Sequence, residues 1–141
     1  MRQVVWFFAP TVALCEQQRD VLQTYLPVSV GLISGSNEPI EWRKRDLWKV
    51  VLAKHRVIVS TPQVILDALR HGYIKMGEEI ALIIFDEAHH AVGDHPYNCI
   101  MREFYMMLPP RRSDIIGGVR PMILGLTASP IYGGDVAKAF Q

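Results

Sequence analysis

Ile80-Ala81-Leu82-Ile83-Ile84-Phe85 runs directly into Asp86-Glu87-Ala88-His89-His90. An unbroken apolar run with branched residues suits a strand buried on both faces, as in a parallel sheet covered by helices. A buried helix segment has the same look over so few residues. The abrupt switch to two acids favours the strand, because charge is costly inside a fold and cheap at a strand's end. Ligands of open α/β sheets collect at the carboxyl ends of the strands, where these acids would fall.

Two adjacent carboxylates at that place have a chemical use. One can hold Mg2+ on a nucleotide phosphate. The next can orient or polarise an attacking water. The plainer alternative is that Asp86 caps a short helix and Glu87 is solvated near its positive end.

Working outward, strands and helices alternate. Val4 to Phe8 reads as a buried strand broken by Ala9-Pro10-Thr11. The next segment is helical, with Leu14, Cys15, Val21, Leu22, Tyr25 and Leu26 on one face, and Pro27 ends it. Val28 to Ile33 is a second strand, followed by a Ser34-Gly35-Ser36-Asn37 turn. Pro39 to Leu52 is helical, with Ile40, Leu47, Trp48, Val51 and Leu52 inward. Arg56 to Ser60 is a third strand, and Thr61-Pro62 then opens a helix that carries Val64, Ile65, Ala68 and Leu69 and stops at Gly72. After the central strand, Pro96 opens a helix with Tyr97, Ile100, Met101, Phe104 and Leu108 on its apolar face. A polar loop, Pro109 to Val119, precedes the last strand, Met122 to Leu126.

This order predicts an α/β fold, a mostly parallel sheet flanked by helices. Right-handed crossovers put all strand C-termini on one edge. The loops beginning at Ala9, Ser60, Asp86 and Thr127 should therefore converge, although they are far apart in sequence.

The composition agrees with a folded domain. The chain has 141 residues, 50% hydrophobic and 21% charged, with net charge +1. That excludes a disordered chain and a global basic field, but not a local basic groove. Two cysteines, Cys15 and Cys99, are too few for a disulfide framework. Met1 to Phe8 is too short to span a membrane and lacks a signal-peptide cleavage pattern. The expectation is an intracellular protein, cytoplasmic or nuclear, with no membrane partner.

Together the four loops resemble a superfamily 2 helicase core. Ala9-Pro10-Thr11-Val12-Ala13-Leu14 with Gln17-Gln18 resembles motif Ia, and Ser60-Thr61-Pro62-Gln63 the TPQ-type motif on the nucleic-acid side. Asp86-Glu87-Ala88-His89 resembles motif II, and Leu126-Thr127-Ala128-Ser129-Pro130 motif III. Thr61 to Tyr73, Ile83 to Ala91, His95-Pro96-Tyr97 and Leu124 to Pro130 are similar to the Dicer-like branch. Many Dicers have Cys where Ala88 stands, a change that should be tolerated.

The resemblance implies a RecA-like lobe of the P-loop NTPase class, with ATP and Mg2+ as cofactors and duplex RNA as partner. Asp86 would bind Mg2+ through water, Glu87 would position the hydrolytic water, and His89 would link the nucleotide site to motif III. Thr127 and Ser129 would couple ATP to nucleic acid, or simply cap the following helix. Pro10, Thr11, Gln17, Thr61 and Pro62 would face the nucleic-acid backbone; for Gln17 a solvated helix face is the alternative.

No G-x-x-x-x-G-K-[ST] loop occurs in the sequence. Neither the second RecA-like lobe nor the other Dicer domains are present. The resemblance thus implies that residues 1–141 are a partial, incomplete helicase ATP-binding domain from motif Ia to motif III. In such helicases the P-loop strand lies beside the motif III strand, so Met122 to Leu126 should have one unpaired side here. A non-enzymatic RNA- or protein-binding fragment and a lobe of a DNA-directed helicase are the rival readings.

Other clusters admit plainer readings. Arg43, Lys44, Arg45, Lys49, Lys54 and Arg56 could touch phosphates, but Glu41 and Asp46 dilute them into an ordinary solvated face. His89, His90, His95, Cys99 and Asp94 match no standard zinc spacing. Trp6, Trp42 and Trp48 could stack on bases, but their apolar periodicity suits a core or an interface.

Overall fold

The alternating pattern builds one sheet of five parallel strands, in the order β2-β3-β1-β4-β5. The computed structural model describes residues 3–33, 45–88, 95–110 and 119–126. In chain order the elements are β1 Val4–Phe8, α1 Val12–Tyr25, β2 Val30–Ile33, α2 Arg45–Lys54, β3 Val57–Ser60, α3 Pro62–Arg70, α4 Met76–Glu79, β4 Ile80–Phe85, α5 Pro96–Ile100 and β5 Met122–Gly125. A π-helical turn, Met101–Tyr105, extends α5, with the Met106 amide donating to the Met101 carbonyl.

Side chains alternate across the sheet and divide the core in two. Val4, Trp6, Phe8, Ile58, Ile83 and Phe85 pack with Trp48, Leu52, Tyr97, Ile100 and the apolar face of α3. Val5, Phe7, Val57, Val59 and Ile84 face the other way, toward Cys15, Leu14 and Leu22 of α1. The β1–β4 register shifts between Val4 and Val5, which brings Ile80 and Ile83 into the same core despite their odd spacing. Trp6 and Trp48 are core residues, their rings 6.0 Å apart; Trp42 lies outside the described residues.

The helix ends follow local chemistry. Gly72, at φ 73°, closes α3: its amide donates to the Leu69 carbonyl and that of Tyr73 to Ala68. Thr11 caps α1, its hydroxyl accepting from the Leu14 amide at 3.2 Å.

Three expectations need correction. Val21 and Tyr25 point to solvent, at 45% and 81% exposure, so the apolar face of α1 is narrower than the sequence suggests. The central strand is fully buried on one face only; Ala81, Leu82 and Ile84 are half-buried. Among the described residues α1 and the segment after it, with Leu26 and Val28, cover that second face. The short α4 was not foreseen, because Met76-Gly77-Glu78-Glu79 abuts the strand with no break. Pro39 and Ile40 of the predicted second helix lie outside the described residues.

Among the described residues β5 is the sheet's edge, and all four of its residues are exposed. Met122 and Leu124 sit beside Leu82 and Ile84 and extend the half-covered face. An unpaired apolar edge invites other chains. The 141-residue chain alone should therefore self-associate and bind an apolar dye. Leu124→Lys should reduce both, as read by light scattering and dye fluorescence. A monodisperse wild-type chain with a sharp cooperative melt would contradict this.

Candidate active-site edge

The strands end level. Ser60, Phe8, Phe85 and Gly125 are register partners across four adjacent strands. Hydrogen bonds continue one step past each strand. The Ala9 amide donates to the Ser60 carbonyl at 3.2 Å, Asp86 to Phe8 at 2.8 Å, and Leu126 to Phe85 at 2.8 Å. The loop starts at Thr61, Ala9, Asp86 and Leu126 thus form one row. Neighbouring strands lie about 4.8 Å apart, so Thr61 and Asp86 are about 10 Å apart along the edge.

The acid pair sits in a latched turn. Glu87 has φ 54°, the only positive φ outside glycine among the described residues. A β-carbon-bearing residue rarely adopts this conformation. The Glu87 amide donates to Asp86 Oδ1 at 3.1 Å. The next amide, Ala88, donates to the Leu126 carbonyl at 2.8 Å, tying the turn to β5. Gly125 makes this approach possible, since a β-carbon there would stand 3.1 Å from the Ala88 β-carbon.

Tyr97 closes the turn from below. Its ring is fully buried between Phe85, at 4.8 Å, and Phe8, at 6.3 Å. Its hydroxyl lies 2.7 Å from the Asp86 carbonyl and 3.1 Å from the Phe8 carbonyl. Burial, then the nearby Asp86 charge, pushes its pKa far up, so the phenol stays protonated and donates. Sequence reasoning placed Tyr97 on an apolar face and in the His95-Pro96-Tyr97 match, without assigning its hydroxyl a role.

Burial raises the Asp86 pKa, and Glu87 beside it adds to the rise, while the Glu87 amide opposes it. The folded chain therefore holds that proton more tightly than the unfolded chain. Ionised Asp86 costs stability at neutral pH, and this cost disappears as pH falls below the ordinary carboxylate range. Among the described residues Asp86 forms no salt bridge. Cys15 is buried near the same site, its thiol pushed up to about 11 chiefly by burial, so it is inert rather than nucleophilic.

The other expected residues divide. Thr11 is exposed but its hydroxyl caps α1. Thr61 stands at the N-cap of α3 without a side-chain cap bond. Pro62 is buried at the first turn of that helix. Pro10 is half-buried and Gln17 exposed. Trp6 Nε1 donates to Ser60 Oγ at 2.9 Å and anchors the strand end beneath Thr61. His89, Thr127 and Ser129 lie outside the described residues.

Among the described residues no group of His, Cys, Asp and Glu could hold a metal as a protein cage. His95 Nδ1 instead accepts from the Tyr97 amide at 3.1 Å, and His90 and Asp94 are outside the described residues. Arg45 of the basic cluster is engaged by Glu79 and the Tyr73 carbonyl. No described helix is long and apolar enough to cross a membrane.

Comparison with known proteins gives a consistent result. The family described as "Type III restriction enzyme, res subunit" matches residues 1–132. Dicer-like protein 2 of Phaeosphaeria nodorum is 48% identical over 137 residues, covering 96% of this chain and 9% of that protein. Endoribonuclease Dicer homolog 3b of Oryza sativa is 42% identical over 130 residues, covering 92% of this chain and 7% of that protein. The chain thus spans less than a tenth of the length of these relatives. The crystal structure of the Pyrococcus furiosus Hef helicase domain superposes with a TM-score of 0.67 at 33% identity, covering 98% of this chain and 26% of that one.

The left-handed Glu87 yields a prediction. Such a conformation costs a residue with a β-carbon about 1–2 kcal/mol, and glycine almost nothing. Glu87→Gly should therefore melt at or above the wild-type temperature, whereas Glu87→Val should melt below it. Equal destabilisation by both changes, in calorimetry, would show that the side chain rather than the backbone governs stability here.

Proposed function

The chain belongs to the Type III restriction enzyme res-subunit family, a superfamily 2 helicase domain, and on that footing we propose that it carries the metal and water side of an ATPase site. The same edge, in this reading, carries the loops that hold a nucleic-acid backbone. The observation that supports it most is the strained Glu87 beside half-buried Asp86, on a sheet edge shared with Thr11 and Thr61.

Asp86 fits a hard cation. It is an oxygen donor with one oxygen engaged by a backbone amide, and burial makes its charge costly when unopposed. The lack of a protein cage among the described residues suits Mg2+, which keeps waters and is bound by a carboxylate plus substrate phosphates. Bound Mg2+-ATP would supply the polarised phosphoryl group. Glu87 orients the attacking water, and its turn fixes where that carboxylate points. Thr11 and Thr61 contact phosphates without reading sequence, with Pro10 and Gln17 beside them. His89 links the nucleotide side to motif III, and Thr127 and Ser129 couple the two ligands. The likeness to Dicer-like proteins supports duplex RNA as the partner, within a longer protein that brings a second lobe.

The sequence holds no phosphate-cradling G-x-x-x-x-G-K-[ST] loop. The 141 residues alone should therefore show no ATP turnover above that of their Glu87→Gln variant. Joined to a P-loop segment and a second lobe, the chain should hydrolyse ATP faster with duplex RNA than with duplex DNA. There Glu87→Gln should lower turnover about 100-fold or more while ATP affinity changes little. Parallel losses of affinity and turnover, or equal stimulation by the two duplexes, would count against the reading.

A further inference from the structure

We infer that Tyr97 is a positioning residue that holds Glu87 in its left-handed conformation and ties that turn to the strand end of β1. The inference rests on the ATPase reading given above.

The geometry concerns one peptide unit, Asp86 to Glu87. Its carbonyl oxygen accepts from the Tyr97 hydroxyl at 2.7 Å. Its amide is held by Asp86 Oδ1 at 3.1 Å. That peptide plane is held at both ends, and the plane on the other side of Glu87 is held by the Ala88 amide on the Leu126 carbonyl, so the two together set the φ and ψ of Glu87.

The same hydroxyl lies 3.1 Å from the Phe8 carbonyl, which also accepts the Asp86 amide at 2.8 Å. Phe8 is the last residue before Ala9-Pro10-Thr11. One buried proton donor therefore stands at the junction of the nucleic-acid loop and the carboxylate turn. Packing fixes the donor itself: the ring is wedged among Phe8, Phe85 and His95, whose ring meets it edge-on at 4.8 Å. The helix that carries Tyr97 is held at its start by His95, which accepts the Tyr97 amide.

The test uses the two-lobe, P-loop-containing protein. Tyr97→Phe keeps the ring and removes the donor. RNA-stimulated kcat should fall about tenfold with KM for ATP changed less than about twofold. In a Glu87→Gln background the same change should have little further effect, because the residue it positions is already gone. Replacing Tyr97 by para-aminophenylalanine, which returns a donor at the same place, should restore most of the lost kcat. If Tyr97→Phe fails to fold, the para-amino residue compared with para-methylphenylalanine of similar size reads the same donor. A purely structural tyrosine would give a lower melting temperature with kcat per folded molecule unchanged, or equal losses in both backgrounds, and either result overturns the inference. Full turnover by wild type, loss in Glu87→Gln and no change in Tyr97→Phe would overturn it while leaving the ATPase reading intact. No turnover by wild type would overturn both.

Discussion

The level parallel ladder is the constraint on which the rest depends. Phe8 pairs with both Ser60 and Phe85, and Phe85 with Gly125. Side chains alternate with a period of two, so a slip of one residue in β4 would turn Ile83 and Phe85 out of the main core. It would also move the acids away from the row. Core packing by Trp6, Phe8, Ile83 and Phe85 thus sets where the carboxylates stand. The acids at the edge are positioned by apolar side chains packed behind them.

The two faces of the sheet are unequally finished. One carries a continuous core built from α2, α3, α5 and the strands. The other is covered by α1 over β1 and β3, while Leu82 and Ile84 are half-buried and Met122 and Leu124 exposed. Burial is worth roughly 25 cal/mol per Å2, so covering a few hundred Å2 there would add several kcal/mol. Total domain stability is about 5–15 kcal/mol, which makes this a large fraction. The half-covered face runs from β4 to the exposed edge strand β5, whose far end receives the Ala88 amide of the acid turn.

What could be read from sequence was whatever repeats or stops abruptly. The apolar runs, Pro and Gly breaks and the Phe85-to-Asp86 switch located five strands and the shared edge. Gly72 ended its helix because only its left-handed conformation closes the turn. Features that depend on distant partners were not visible. Val21 and Tyr25 fit helical spacing, but whether a helix stripe is buried depends on how much sheet lies under it. Tyr97 fits an apolar face equally well, and its hydroxyl acquires meaning only when the Asp86 and Phe8 carbonyls are brought beneath it. The left-handed Glu87 has no signal in composition, since glycine or asparagine would be the ordinary choice there.

That choice bears on why the turn is built as it is. A left-handed glutamate costs about 1–2 kcal/mol. Each buried hydrogen bond returns about 0.5–1.5 kcal/mol. The Asp86 amide on Phe8, the Ala88 amide on Leu126 and the Tyr97 hydroxyl on Asp86 together offset the strain. Those bonds come from β1, β5 and α5, elements separated by most of the chain. The conformation of Glu87 is therefore a property of the assembled sheet edge and not of the local sequence, and it persists only while β1, β4, β5 and α5 remain in place together.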